Sequence, residues 1–438
     1  MNLEELTKKI SRRTAKLAVI GLGYVGLPLA ATLADTGFDV LGIDVKPDRV
    51  EAINQGKNPI GGIEPGLDEL LSWNVLSAKL RATTDYSELA NRDIIFINVE
   101  TPVGEDHKPD YHALLSVIHS LGSVLQKGAL VIIESTISPG TMENLVLPEL
   151  EKSSNGKINC DFYLGNCPER VMPGKLLVNI RSMGRVIGGA NEETAQTMAA
   201  LYTLFVEADL DLTDWVTAEL VKTVENTYRD VQIAFANEIA MLCERVGADV
   251  WRVRELVNKT PQRNVHKPGA GVGGHCIPKD PWLLDSSVNE KGLLKLIPTA
   301  RSINDGMPAH IFNLLQKGLQ KLGSTFDDVR VLILGYAYLE NSDDERNSPS
   351  AVLGRILDQN GISTTIQDPY ILAYQGDVYE KAAGCDAVII MTAHTEYFSL
   401  DLGRLKNTMR SLLIIDGRCV IDKEKDLQGF LLLQVGRG

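Results

Sequence analysis

Short runs of apolar residues recur along this chain, each followed by a stretch with helical spacing. In the first 150 residues the runs are KLAVIG, FDVLGID, DIIFINV and ALVIIEST. Runs this short and this uniformly apolar predict strands buried on both faces, and their alternation with helices predicts a parallel sheet covered on both sides. The rhythm returns near Asp328 with VRVLILGYAY, a helix after Ser348-Pro349, then ISTTIQDP, CDAVIIMTAH and SLLIIDGR.

The chain between them reads differently. From Thr213 to about Val246 no Gly or Pro interrupts a helical pattern, which predicts one helix about 45 to 50 Å long. Its apolar positions fall on more than one side, as expected of a helix buried against several elements or a second subunit. The fold class is therefore α/β: two doubly wound Rossmann-like domains joined by a long central helix with an all-α middle region. The expected divisions are 1–205, 206–312 and 313–438.

Composition narrows the partners. A chain of 438 residues is too long for one ordinary core, and a net charge of -13 argues against nucleic acid as the main partner. The first sixteen positions carry charge, and no apolar run approaches the roughly 20 residues needed to cross a bilayer. No membrane partner and a cytoplasmic location are the expectation. The six cysteines, at 160, 167, 243, 276, 385 and 419, form no CxxC pair and read as thiols in a reducing compartment.

Gly21-Leu22-Gly23-Tyr24-Val25-Gly26 follows the first strand and opens a helix. Glycines at that spacing allow a tight turn and let a pyrophosphate approach the helix N-terminus. The next strand ends in Asp44, where a carboxylate accepts ribose hydroxyls and repels a 2′-phosphate, so NAD is the expected cofactor. Arg49 could instead pair with a phosphate or stack on adenine. Thr101 and Ser135-Thr136 close the third and fourth strands, along the edge where such sheets bind ligands; a strand-end Thr also serves as a helix cap.

The least ordinary segment is Pro268-Gly269-Ala270-Gly271-Val272-Gly273-Gly274-His275-Cys276-Ile277-Pro278-Lys279-Asp280. Four glycines before one cysteine imply a backbone pressed close to another surface, with sulfur delivered at its end. Beside a nicotinamide, a thiol adds to an aldehyde; the hemithioacetal loses hydride, and water cleaves the resulting thioester. His275 points away from an adjacent side chain in an extended loop and reads as structural. No His/Cys grouping has zinc spacing, so no metal is expected.

On the long helix Lys222, Asn226 and Arg229 fall at i, i+4 and i+7, a donor-rich stripe that suits an oxyanion or an anionic ligand. The competing reading is a solvated face with Lys222 paired to Glu219 or Glu225. Glu169, in the loop Asn166 to Val171, either orders a hydrolytic water or is an exposed acid near Arg170.

The stretches GLGYVGLPLA, EST with PGT, CPERVMPG, AELVKTVENTYRDVQIAFANE, GVGGHCIPKDPW and SDDERNSPS together resemble the UDP-glucose/GDP-mannose dehydrogenase family, over nearly the whole chain. CPERV, ENTYRDVQIAFANE and GVGGHC resemble the branch acting on UDP-N-acetylhexosamines, with UDP-N-acetyl-D-mannosamine the expected substrate. The resemblance implies four-electron oxidation of the C6 alcohol, with Cys276 as nucleophile and Lys222 as proton carrier or oxyanion stabiliser. It implies Asn226 and Asp280 as polar support and Glu169 as base for thioester hydrolysis. Substrate contacts would come from Arg170, Val171, Lys222, Asn226, Arg229, Arg263, Gly273 and Tyr338. NAD contacts would come from Gly21, Gly23, Tyr24, Val25, Gly26, Asp44, Arg49, Thr101, Thr136 and Arg346. A homodimer through the central helix is also implied.

Two departures bear on the sugar. Leu339 stands where the family often has Lys, and Thr260-Pro261-Gln262-Arg263 replaces a His-Pro-Arg sequence, with Arg263 one position displaced. The same chemistry on UDP-N-acetylglucosamine, UDP-glucose or UDP-N-acetylgalactosamine is the alternative. Two other classes remain: an NAD-sensing module without catalysis, and a single-step 2-hydroxy acid dehydrogenase that needs no thiol.

Overall fold

The computed structural model describes the chain except residues 62–63, 173, 289, 291, 325–327 and 425. It forms two compact units, Met1–Glu225 with Trp282–Glu290, and Asn226–Pro281 with Lys291–Gly438.

The first unit holds a sheet of eight strands: β1 (Lys16–Ile20), β2 (Asp39–Ile43), β3 (Leu80–Thr83), β4 (Ile94–Ile97), β5 (Ala129–Ile133), β6 (Phe162–Asn166), β7 (Arg185–Gly189) and β8 (Leu210–Asp214). Their order is β3-β2-β1-β4-β5-β6-β7-β8. The first six strands follow the 3-2-1-4-5-6 order of a dinucleotide-binding fold, whose ligand edge lies at the switch between β1 and β4. β7 runs antiparallel to β6 and parallel to β8. β4 and β5 are buried at every position, which is why they carry no polar alternation. The charged N-terminal stretch is a helix, Leu3–Ser11, closed by a capping box between Asn2 and Glu5; Leu3, Leu6 and Ile10 enter the core.

The second unit carries a wholly parallel sheet of β9 (Arg330–Leu334), β10 (Ser363–Gln367), β11 (Ala387–Ile390), β12 (Leu413–Asp416) and β13 (Leu431–Gln434), in the order β10-β9-β11-β12-β13. β13, within FLLLQVG, adds a fifth strand to the four that the sequence pattern marks.

The long helix begins at Trp215, not Thr213, and runs to Val246. Thr213 belongs to β8, and Asp214 stops the strand by accepting hydrogen bonds from the Thr217 backbone and hydroxyl. Leu220, Val224, Tyr228, Phe235, Leu242 and Val246 lie exposed along this helix, at spacings of four or seven residues.

Candidate active site

At the end of β1 the glycine turn is built by exclusion. Gly21 has φ 89°, and a Cβ there would stand 2.6 Å from the Asn98 carbonyl oxygen; one on Gly26 would stand 1.9 Å from the Gly21 oxygen. At Gly23 an added Cβ would meet nothing within 4 Å, so the open face of the turn is the one a pyrophosphate needs. Val25 immediately precedes the Gly26–Asp35 helix, and the Tyr24 hydroxyl donates to the Gly61 carbonyl at 2.9 Å. The Asp44 carboxylate accepts from the Leu22 backbone at 2.9 Å, the Lys46 backbone at 3.0 Å and the Arg49 guanidinium at 2.9 Å. Arg49 is thus paired with Asp44, the acid that closes β2, and the residues present fit NAD. Thr101 donates its hydroxyl to the Thr136 carbonyl at 2.6 Å, and Ser135 to Val99 at 2.6 Å, tying the ends of β4 and β5 together.

In the same unit Glu169 is buried, so the exposed-acid reading fails. Its carboxylate pairs with Arg185, which is fully buried, and accepts from the Arg170 backbone at 2.8 Å. Arg170 reaches Glu225 at 3.1 Å and the Gly184 carbonyl at 3.3 Å. Val171 packs against the first core. Lys222 is only 8% exposed, which overturns the solvated-face reading at that position. Glu219 is no surface partner either: it is buried and accepts from the backbones of Gly140 at 2.6 Å and Met142 at 2.8 Å, holding the PGT turn. Burial pushes its carboxyl up to about 7 against those two hydrogen bonds.

In the second unit the cysteine loop is shaped by the segments that follow β9 and β12 and by the long helix. A Cβ on Gly273 would stand 2.5 Å from Tyr338 Cβ, and one on Gly274, at φ 87°, would stand 2.8 Å from the Tyr338 ring. The Gly274 N–H donates to the Arg346 carbonyl at 2.8 Å, and the Asn347 amide donates to the Gly274 carbonyl at 3.0 Å. Arg346 itself is paired through Nε with Asp344 at 2.9 Å. Further back, the Gly269 N–H donates to Asn237 at 2.9 Å and Arg418 donates to the Gly271 carbonyl at 3.1 Å.

Cys276 leaves this loop exposed, as the first residue of the Cys276–Asp285 helix, at the end where a helix dipole is positive. Asp280, one turn on, is fully buried; its carboxylate accepts from the Asn226 amide at 2.5 Å and lies 3.7 Å from Lys279 Nζ. His275 is pushed down to about 4, first by burial and then by Lys279 and Arg346, so it stays neutral at physiological pH. The other thiols differ: Cys167 is fully buried and pushed up to about 12, and Cys419 to about 11, chiefly by burial.

Not every stripe residue shares one environment. Lys222 is buried and Asn226 half-buried, while Arg229 is exposed; Arg263 is also exposed, beside Gln262 at φ 63°. Sequence reasoning missed Glu134, Tyr202 and Arg185, three buried polar residues around Glu169. The signals available were an acid ending an apolar strand and an arginine opening RVIGG. Among the described residues no group of three His, Cys, Asp or Glu side chains gathers as a metal site would.

A glycine turn at the switch point of a 3-2-1-4-5-6 sheet, with an acid closing β2, defines a dinucleotide-binding protein. The chain belongs to the UDP-glucose/GDP-mannose dehydrogenase family: the family's NAD binding domain matches residues 15–206, its central domain 216–306 and its UDP binding domain 332–423. It is an NAD-dependent nucleotide-sugar dehydrogenase that forms a uronate, which removes the sensing-module and 2-hydroxy acid readings. A UDP-N-acetyl-D-mannosamine dehydrogenase of Pyrococcus horikoshii is 40% identical over 424 residues, covering 97% of this chain and 99% of its own. The solved structure of UDP-D-ManNAc dehydrogenase from Pyrococcus horikoshii superposes with TM-score 0.92 at 39% identity, covering 97% of this chain and 99% of that one. An NDP-N-acetyl-D-galactosaminuronic acid dehydrogenase structure from Methanosarcina mazei Go1 gives TM-score 0.87 at 36% identity, with 100% and 98% covered.

Proposed function

We propose that this enzyme oxidises the C6 alcohol of a UDP-N-acetylhexosamine, UDP-N-acetyl-D-mannosamine first, to the uronate through a covalent thioester on Cys276. The observation that carries the reading is the exposed Cys276 at a helix start, delivered by a glycine loop and backed by the Asn226–Asp280 pair. The name of the Pyrococcus horikoshii relative supports the sugar.

NAD, held by Gly21, Gly23, Tyr24, Val25, Gly26, Asp44, Thr101, Thr136 and Arg346, supplies the hydride acceptor for both oxidations. Lys222 takes the alcohol proton and then stabilises the oxyanion. Cys276 sulfur adds to the aldehyde carbon, the hemithioacetal loses hydride to become a thioester, and water cleaves it, returning the thiol and releasing the acid. Asn226 and Asp280 hold the water and the thiol in register, and Glu169 accepts the proton of the attacking water. Arg170, Val171, Arg229, Arg263, Gly273 and Tyr338 contact the substrate. Residues 1–205, 206–312 and 313–438 act as cofactor, dimerisation and UDP-sugar segments of a cytoplasmic enzyme.

The exposed apolar stripe from Leu220 to Val246 supports a homodimer through the central helix, because a stripe of this kind is rarely left in water. A second reading, the N-acetylgalactosamine nucleotide as substrate, is favoured by the name of the Methanosarcina mazei relative.

The test counts NADH per sugar with the N-acetylmannosamine, N-acetylgalactosamine, N-acetylglucosamine and glucose nucleotides. Two NADH with an N-acetylated sugar are expected. One NADH per sugar, or a Cys276→Ser enzyme that still forms the acid at a near-normal rate, removes the thioester route.

A further inference from the structure

Behind Glu169, within the first unit, four elements close over a polar cluster the reaction scheme does not use. Glu134 follows the last residue of β5 and is 2% exposed. Its backbone carbonyl accepts from the Glu169 N–H at 3.3 Å, and the Ile133 carbonyl accepts from the Cys167 N–H at 2.9 Å, so the Glu169 loop continues the pairing of β6 on β5. The Glu134 side chain accepts from the Tyr202 hydroxyl. Tyr202, wholly buried at the end of the Glu192–Tyr202 helix, is wedged between Phe96, 6.3 Å away edge-on, and Phe205 at 5.4 Å. Arg185 enters from β7 and takes the Glu169 carboxylate. Among the described residues, Glu134 Oε2 and Arg185 Nε have no hydrogen-bond partner.

We propose that Glu134 is a positioning residue for the hydrolytic step: anchored by Tyr202, it sets the loop that carries Glu169 and leaves Arg185, which also donates to the Ile180 carbonyl at 3.3 Å, with Glu169 as its one carboxylate partner. The inference rests on the reading that Glu169 activates the water. Two carboxyl groups and one guanidinium cannot all be charged here without an unmatched buried anion. The groups facing Glu134 are Tyr202 from its helix, Glu169 and Cys167 from the loop after β6, Arg185 from β7 and the uncharged Asn98 amide after β4. Burial, reinforced by the Glu169 charge and opposed by Arg185, pushes Glu134 up to about 8. Tyr202 and Cys167 are pushed up and stay neutral, while Glu134 gains its charge within the working range. Below that range it is a neutral acid; once ionised it competes with Glu169 for Arg185 and loosens the base.

The experiment follows decay of acyl-Cys276 by intact mass after a single turnover of the full enzyme with NAD and the UDP-sugar, at pH 7 and pH 9. Each protein is referred to its own rate at pH 7. The wild type is expected to lose up to about tenfold at pH 9, the limit that one ionisation near 8 sets, whereas Glu134→Gln, which cannot ionise, loses far less. Tyr202→Phe, with folding checked by circular dichroism, is expected to accumulate acyl-enzyme at pH 7. Equal pH 9 losses in wild type and Glu134→Gln, or no accumulation in Tyr202→Phe, overturn the proposal while leaving Glu169 as the base. A Glu169→Gln enzyme that deacylates normally overturns the role of Glu169 and this inference with it.

Discussion

The Asn226 amide donates to the Asp280 carboxylate at 2.5 Å, joining the long helix to the helix that Cys276 opens. Asp280 is wholly buried with Lys279 Nζ 3.7 Å away, so its carboxylate, balanced by that cation, makes a charge-assisted bond shielded from water. Asp280→Asn keeps the size and loses the charge. Such a bond contributes about 1.5 to 3 kcal/mol, so kcat is expected to fall on the order of 10- to 100-fold with the fold retained. Steady-state kinetics alongside a thermal melt check this, and an unchanged kcat would remove Asp280 from the site.

The proposed NAD site puts cofactor choice on Asp44 and Arg49. With the carboxylate gone, Arg49 loses its 2.9 Å partner and becomes available to a 2′-phosphate. Asp44→Ser is expected to shift the ratio of kcat/KM for NAD over NADP by about 10- to 100-fold toward NADP, equivalent to about 1.5 to 3 kcal/mol. Kinetics with each cofactor at fixed UDP-sugar measure it. A ratio that does not move would place the specificity elsewhere.

Gly273 tests the fit of the cysteine loop. An alanine there would put Cβ 2.5 Å from Tyr338 Cβ and 2.8 Å from the Asn347 carbonyl, and a backbone oxygen cannot move aside cheaply. Gly273→Ala is expected to cost about 1 to 3 kcal/mol and to lower the alkylation rate of Cys276 by iodoacetamide. Denaturant titration gives the first quantity and timed alkylation the second.

Glu219 makes stability depend on pH. Its folded-state carboxyl, pushed up to about 7 from an ordinary value of 4.5, binds its proton more tightly than the unfolded chain does. Stability is therefore greatest below about 4.5 for this group and is lost as pH rises through 7, by on the order of 3 kcal/mol when complete. Glu219→Gln removes that slope. Denaturation midpoints from pH 5 to pH 8 are expected to fall less in the variant than in the wild type, and parallel curves would show that Glu219 ionises without cost.

The sequence by itself determined the two α/β sheets, the glycine turn with Asp44, the long helix and the cysteine loop. Each is written in adjacent residues: period, glycine spacing and strand-end acids act over a few positions. Only the tertiary structure decided that β6 and β7 run antiparallel, because pairing direction depends on where a distant strand lies. Tertiary packing also made Glu169 and Lys222 buried groups: an isolated acid or lysine has the same letter on a wet face as in a core. The Glu134–Tyr202–Arg185 cluster joins residues up to 68 positions apart, and its charge state comes from removing all three from water at once. No spacing rule along the chain records that, since desolvation belongs to the folded volume and not to the string of residues.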